Sequence, residues 1–352
     1  MSELVLLTGG SGFLGAHTAL ALLRAGFRVR AAVRDVAKAS SRFDVFTPRD
    51  QRPRLSFVPL ELTRDEGWNE AAAGCTYLVH TASPVPSGPV KRPEDVVGPA
   101  REGTLRALSA ARHAKVKRVV LTSSTAAVIW GHARDGSKVY DESDWTVLNE
   151  SVAAYEKSKT VAERAAWDYV AALPESERFE LVAVLPGAIL GPLLDDDFSV
   201  SATIVKALLG RELPGVPDLG FALVDVRDAA EMHVAAMTIA AAAGQRFIVA
   251  GEHIPMAHIA SVLALHYGSR GLRVPERSLP SFLIKTMACW DATASLTANE
   301  LGKRQDVSSQ RAREVLGFRP RSTEELVTAM ADSMIAHGVV PAPKGSQRAR
   351  RS

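Results

Sequence analysis

The sequence predicts an α/β chain: a doubly wound parallel sheet with helices on both faces, followed by a smaller C-terminal lobe. Three observations carry this expectation. Short apolar runs rich in β-branched residues alternate with longer amphipathic stretches through the first half of the chain. A glycine-rich turn joins the first apolar run to the first helical stretch. After Pro186 the rhythm breaks, and Gly187, Gly191, Pro192, Gly210, Pro214, Gly215, Pro217 and Gly220 divide the chain into loops and short helices.

In chain order, strands are expected at residues 4–7, 28–33, 55–60, 77–81, 118–122 and 181–185. Helices are expected at 14–25, 94–114 and 152–173, where apolar residues recur every three or four positions. The chain then returns to the core through residues 221–237 and a strand at 246–250, and finishes in helices near 256–267, 282–296 and 324–337. The expected division is a sheet domain of residues 1–190 and 222–252, a second lobe of residues 191–221 and 253–338, and a frayed basic tail at 339–352.

Composition sets the outer limits. The 352 residues are 47% hydrophobic and 23% charged, which is ample material for a large core. The net charge of +3 is small and the basic residues are spread along the chain, so no nucleic-acid partner is expected. No charge-free run is long enough to span a membrane, and a strand beginning at residue 4 leaves no room for a signal peptide. Cys75 and Cys289 are too few for a disulfide framework or a thiolate metal site, which points to the cytoplasm. His80 and His113 are expected to pack or cap, and Asp195-Asp196-Asp197 to form a solvated acidic loop, so no metal is expected. The stretch from Met287 to Trp290 is expected in a core or a dimer surface, and both a monomer and a homodimer fit the sequence.

The turn reads Thr8-Gly9-Gly10-Ser11-Gly12-Phe13-Leu14-Gly15 between the first strand and the first helix. A dinucleotide pyrophosphate needs backbone it can approach closely, free amides, and the positive end of a helix dipole. Thr8, Gly9, Gly12, Phe13, Leu14 and Gly15 are the expected lining. At the end of the second strand, a carboxylate would serve the ribose hydroxyls of NAD, whereas a guanidinium would serve the 2′-phosphate of NADP. The chain has Val33 followed by Arg34, with Lys38 and Arg42 beyond, so NADPH is the expected coenzyme; Asp35 is the one nearby carboxylate that argues the other way.

Tyr155 and Lys159 stand four residues apart at the start of a helix and so share a face, unlike Lys157. An ammonium beside a phenol stabilises the phenolate and brings proton exchange nearer to neutral pH. Upstream, the strand at 118–122 ends in Ser123-Ser124-Thr125 at the carboxyl edge of the sheet, where a hydroxyl can hold a substrate carbonyl oxygen.

These pieces resemble the extended short-chain dehydrogenase/reductases, in the branch of dihydroflavonol reductases, cinnamoyl-CoA reductases and microbial ketone and aldehyde reductases. The matching segments are TGGSGFLG at 8–15, AAVRD at 31–35, HTASP at 80–84, VLTSS at 120–124, VYDESDW at 139–145, YEKSK at 155–159 and LPGAILGP at 185–192, with LVDVRDAAEMH at 223–233 and LGFRPRS at 316–322 as later landmarks. The resemblance implies a Rossmann sheet and a catalytic set of Ser124, Tyr155 and Lys159, with Thr125 as the rival of Ser124. It also implies that Glu61 and Leu62 flank the adenine, that Thr81, Ala82 and Ser83 line the ribose and pyrophosphate, and that Pro186, Ala188 and Ile189 border the nicotinamide.

The expected activity is NADPH-dependent reduction of a ketone or aldehyde. Ile129 stands where dihydroflavonol reductases carry asparagine, and Ala153-Ala154-Tyr155-Glu156-Lys157 differs from the Trp-Tyr-Cys-Tyr stretch of cinnamoyl-CoA reductases. An apolar or aromatic carbonyl substrate among Ile129, Trp130, Ile189, Leu190, Leu193 and Phe198 is therefore expected. A 3-hydroxysteroid-type dehydrogenase, a sugar-nucleotide epimerase and a non-catalytic NADPH-binding sensor are the alternatives on the same frame.

Overall fold

The computed structural model describes residues 2–84, 90, 92–196, 198, 200–210, 212–290 and 292–341. Asp197 and the basic tail from residue 342 onward lie outside the described residues. Seven strands form one parallel sheet in the order β3-β2-β1-β4-β5-β6-β9. They are β1 (Leu4–Thr8), β2 (Arg28–Val33), β3 (Leu55–Pro59), β4 (Tyr77–His80), β5 (Arg118–Thr122), β6 (Glu180–Pro186) and β9 (Arg246–Val249). The order reverses between β1 and β4, which opens a crevice at the carboxyl ends of those strands.

The sheet is parallel because its central strands are buried on both faces and helices cover the connections between strands. On one face α1 (Phe13–Arg24) and α7 (Val226–Thr238) pack over Val5, Leu7, Val79, Val120 and Val184. On the other, α3 (Trp68–Ala72), α4 (Glu94–His113) and α5 (Ala154–Ala172) cover Leu4, Leu6, Leu78, Val119 and Leu181.

A second sheet, β10-β8-β7, follows the break at Gly187. It consists of β7 (Ala188–Leu190), β8 (Gly220–Asp225) and β10 (His253–Pro255), and α6 (Thr203–Leu209), α8 (Met256–Tyr267) and α11 (Thr323–Ala336) close a separate apolar cluster around it. A Cβ on Gly187 would stand 2.1 Å from the carbonyl oxygen of Ala222 and 3.1 Å from Cβ of Ala250. The two sheets meet there by direct backbone contact.

Three features differ from the sequence expectation. The helices α2 (Val36–Phe46) and α3 escape an apolar-period reading because they are short or mostly polar; α2 buries only Ala39 and Phe43. Residues 221–237 divide into β8 and α7 at Asp225, whose carboxylate accepts from the Arg227 N–H and caps the helix. The stretch 282–296 is two helices, α9 (Ser281–Met287) and α10 (Ala292–Glu300). The Cys289 and Trp290 amides bond to Thr286 and Met287, tightening and ending the last turn of α9. Phe282, Met287 and Trp290 are exposed on this pair of helices rather than buried in a core. No helix among the described residues is long and apolar enough to cross a membrane.

One buried ion pair ties α5 to β9, the strand at the end of the sheet. Glu163 on α5 accepts from Arg246 Nε on β9 at 2.6 Å, from Ser123 Oγ at 2.5 Å and from Trp167 Nε1 at 3.2 Å. Arg246 also donates to the carbonyls of Glu142 and Asp144 and stacks on the Trp145 ring, 3.7 Å from its centroid. Removing one partner leaves the other charge buried, at a cost of about 3 to 5 kcal/mol. Glu163→Gln and Arg246→Met are each expected to lose stability on that scale in urea unfolding. The double replacement Glu163→Leu with Arg246→Met should lose less than the sum of the singles.

Candidate active site

The phosphate turn is shaped by contacts that exclude side chains. Gly9 has φ +67°, and a Cβ there would lie 2.8 Å from the Ala82 amide; a Cβ on Gly15 would lie 2.0 Å from the Gly9 carbonyl oxygen. Gly12 sits at the N-cap of α1 with no side-chain cap and no acid in the first turn. The amide ends of α1 therefore face the turn uncompensated, which suits an anion. Thr8 is buried and binds the turn to β4: it shares a 2.7 Å hydrogen bond with His80, receives the Ala82 amide at 3.3 Å, and accepts the Thr81 hydroxyl on its carbonyl at 2.7 Å. Thr81, Ala82 and Ser83 lie half-buried beside it.

At the end of β2, Arg34 and Lys38 are exposed. Asp35 caps α2 by accepting the Lys38 amide at 2.9 Å, so the carboxylate that argued for NAD is engaged with backbone. Arg42 does not stand free beside them. Its guanidinium grips Asp195 at 2.5 and 2.8 Å and donates to the Ser11 carbonyl, which places Asp195 in an ion pair rather than in a solvated acidic run. Glu61 and Leu62 are half-buried after β3, and Leu62 packs against Gly103 of α4.

The sheet edge brings Ser124, Tyr155 and Lys159 together. Ser124 accepts from the Ala126 amide at 3.1 Å and donates to the Pro186 carbonyl at 3.4 Å. Thr125 is buried in the 3₁₀ turn that follows. Lys159 is buried, and its Nζ donates to the Thr122 carbonyl at 3.3 Å. Burial pushes the Tyr155 phenol up to about 12 and the Lys159 ammonium down to about 8, the nearby Ser124 hydroxyl working against the first and the Glu163 charge against the second. The phenol thus keeps its proton at neutral pH.

Two histidines flank the lysine. His233 on α7 shares a 2.7 Å bond with the Thr122 hydroxyl and another with the Ala229 carbonyl. Burial, then the Lys159 charge, hold His80 down at about 3; burial opposed by the Ala229 bond, with a further push from Lys159, holds His233 at about 4. Both are neutral, so no second cation crowds the ammonium. Among the described residues no group of three His, Cys, Asp or Glu side chains is placed to hold a metal ion.

Pro186 is buried at the end of β6, while Ala188 and Ile189 are half-buried on β7. Of the expected substrate lining, Ile129, Leu190 and Leu193 are buried in apolar clusters and Trp130, Ile189 and Phe198 are half-buried. Sequence reasoning passed over Glu163, Arg246 and His233. Glu163 stands four residues beyond Lys159 on the same helix face, and His233 lies in a quoted segment, but neither signal names its distant partner.

The model of the NAD dependent epimerase/dehydratase family matches residues 5–251. A tetraketide α-pyrone reductase of Arabidopsis thaliana is 33% identical over 280 residues, covering 78% of this chain and 83% of its own length. A cinnamoyl-CoA reductase of Medicago truncatula is 32% identical over 255 residues, covering 71% and 76%. The crystal structure of a yeast methylglyoxal/isovaleraldehyde reductase complexed with NADPH superposes with a TM-score of 0.80 at 26% identity, over 96% of this chain and 99% of that one. With its glycine turn, its seven-stranded parallel sheet and its match over most of the sheet, the chain belongs to the NAD dependent epimerase/dehydratase family, the extended short-chain dehydrogenase/reductases.

Proposed function

We propose that the protein is an NADPH-dependent oxidoreductase that reduces an aldehyde or ketone to an alcohol, with Ser124, Tyr155 and Lys159 as its catalytic residues. The observation that carries this reading is the convergence at the carboxyl end of β5 of the Ser124 hydroxyl, anchored on the Pro186 carbonyl, and the Lys159 ammonium, anchored on the Thr122 carbonyl, with Tyr155 one helical turn before Lys159 on α5. The reductase names of the similar proteins and the NADPH in the yeast complex support it. In this reading residues 1–190 and 222–252 carry the coenzyme, and residues 191–221 and 253–338 shape the substrate side.

The cradle around Gly9, Gly12 and Gly15 fits a dinucleotide, because the space a Cβ would fill is left to the ligand-facing backbone. Thr8, Phe13 and Leu14 complete the turn, Arg34 and Lys38 face the 2′-phosphate, and Glu61 and Leu62 flank the adenine. Thr81, Ala82 and Ser83 border the ribose and pyrophosphate, and Pro186, Ala188 and Ile189 border the nicotinamide. When bound, the coenzyme supplies a hydride to the carbonyl carbon. Ser124 holds the carbonyl oxygen, Tyr155 delivers its proton to that oxygen as negative charge develops, and Lys159 stabilises the phenolate that remains. The apolar and aromatic side chains near Trp130, Ile189 and Phe198 favour an apolar or aromatic small molecule.

Tyr155→Phe is expected to lower turnover by about two to four orders of magnitude while leaving NADPH binding within about twofold. The assay is NADPH oxidation against aromatic aldehydes, aliphatic ketones, 2-oxo esters and acyl-CoA thioesters, with sugar nucleotides in the absence of added coenzyme as a control. Full activity in the variant, or conversion of the sugar nucleotides, overturns the reading.

Arg34→Ala is expected to raise the KM for NADPH by about tenfold or more and to leave that for NADH nearly unchanged, since a lost charge-assisted phosphate contact costs about 1.5 to 3 kcal/mol. Equal loss with both coenzymes would remove Arg34 from the 2′-phosphate.

Lys159 yields paired expectations. Reduction should decline as pH rises through about 8, where the ammonium loses its proton. Its folded value lies below its ordinary 10.5, so between these limits the unfolded chain binds more protons and stability rises with pH. Lys159→Met should therefore gain on the order of 2 to 3 kcal/mol of stability at neutral pH while losing activity. A pH–rate profile flat to pH 10, with no gain in thermal midpoint for the variant, would contradict both.

A further inference from the structure

The segment between β7 and Asp195 is pinned at three places, the first of them on α1. The His17 imidazole of α1 donates to the Pro192 carbonyl at 2.9 Å, and the Ser333 hydroxyl of α11 receives the Leu193 amide at 2.8 Å. At its far end, Asp195 takes both arms of the Arg42 guanidinium, at 2.5 and 2.8 Å. Arg42 also donates to the carbonyl of Ser11, inside the phosphate turn. Phe13, the first residue of α1, packs into the same apolar cluster as Leu190 and Leu193. The segment therefore begins beside the residues assigned to the nicotinamide and ends on a side chain of α2, one helical turn beyond Lys38.

We propose that Arg42 and Asp195 are a positioning pair of the coenzyme site: their bidentate contact holds segment 190–195 across the phosphate turn and sets how fast the coenzyme leaves. This rests on the NADPH reading of the site. Neither group is needed for hydride or proton transfer, and each acts through the segment it fixes. The pair joins residues 153 positions apart, so its formation fastens the coenzyme half to the first loop of the substrate side. Both side chains are about one-fifth exposed, so the contact is strong enough to hold and open enough to respond to salt.

The test is release of NADPH from the holoprotein, followed by nicotinamide fluorescence after mixing with excess NADP⁺. Asp195→Asn and Arg42→Met are each expected to speed release by about tenfold, the equivalent of about 1.4 kcal/mol. The reversed pair, Arg42→Asp with Asp195→Arg, should bring release back to within about threefold of the wild type, which a merely structural role for either residue would not predict. Raising the salt from 0.05 to 0.5 M, on the order of a threefold change in Debye length, should speed release from the wild type by a larger factor than from Asp195→Asn, in which only the phosphate contacts remain to be screened. Release that is unchanged in a folded Asp195→Asn protein, or a reversed pair that stays as fast as the singles, overturns the pairing and leaves the coenzyme reading intact. A wild-type protein that takes up no NADPH overturns both.

Discussion

The structure depends on a carboxylate and a guanidinium taken out of water together. Glu163 and Arg246 bring four parts of the chain to one point: the helix that carries Tyr155 and Lys159, the last strand of the large sheet, the end of β5 through Ser123, and the 140–147 loop through its carbonyls and Trp145. The loop itself is secured by Glu142, whose carboxylate receives the Ile248 amide. Such a pair adds little to net stability over a well-packed apolar substitute, but it permits one arrangement only. That restriction suits a helix whose N-terminal side chains must meet a strand edge within hydrogen-bonding distance.

Around Lys159 the same physics runs the other way. An ammonium surrounded by protein is held there against its own preference for water, and the neighbouring histidines are kept neutral by the same burial. The resulting arrangement leaves one positive charge at the carboxyl end of β5, on the Thr122 carbonyl. Strain of this kind is tolerated because the surrounding frame over-determines the lysine's position.

Much of this was legible in the sequence, and the limits have physical causes. The buried strands of the large sheet show as continuous apolar runs, and the glycine turn shows because only glycine survives contacts of 2 to 3 Å. Tyr155, Lys159 and Ser124 are legible as an ordered set at strand and helix ends. The small sheet was not, because β7 and β10 have three residues each and no period can be read from so few. Partners that meet only in space, such as Glu163 with Arg246, Thr122 with His233, and Arg42 with Asp195, leave no local pattern. Asp35 shows the converse: its sequence position allowed two roles, and the backbone of α2 decided between them.

The joint at Gly187 has a wider implication. Pro186 and Ala188 enter different sheets on either side of it, and the nearest contact is backbone against the Ala222 carbonyl, with only the methyl group of Ala250 beside it. Mutational drift on the small sheet and its helices can therefore proceed without tilting the platform on which Ser124 rests through the Pro186 carbonyl. A single frame can in this way hold its large sheet constant while the smaller one changes.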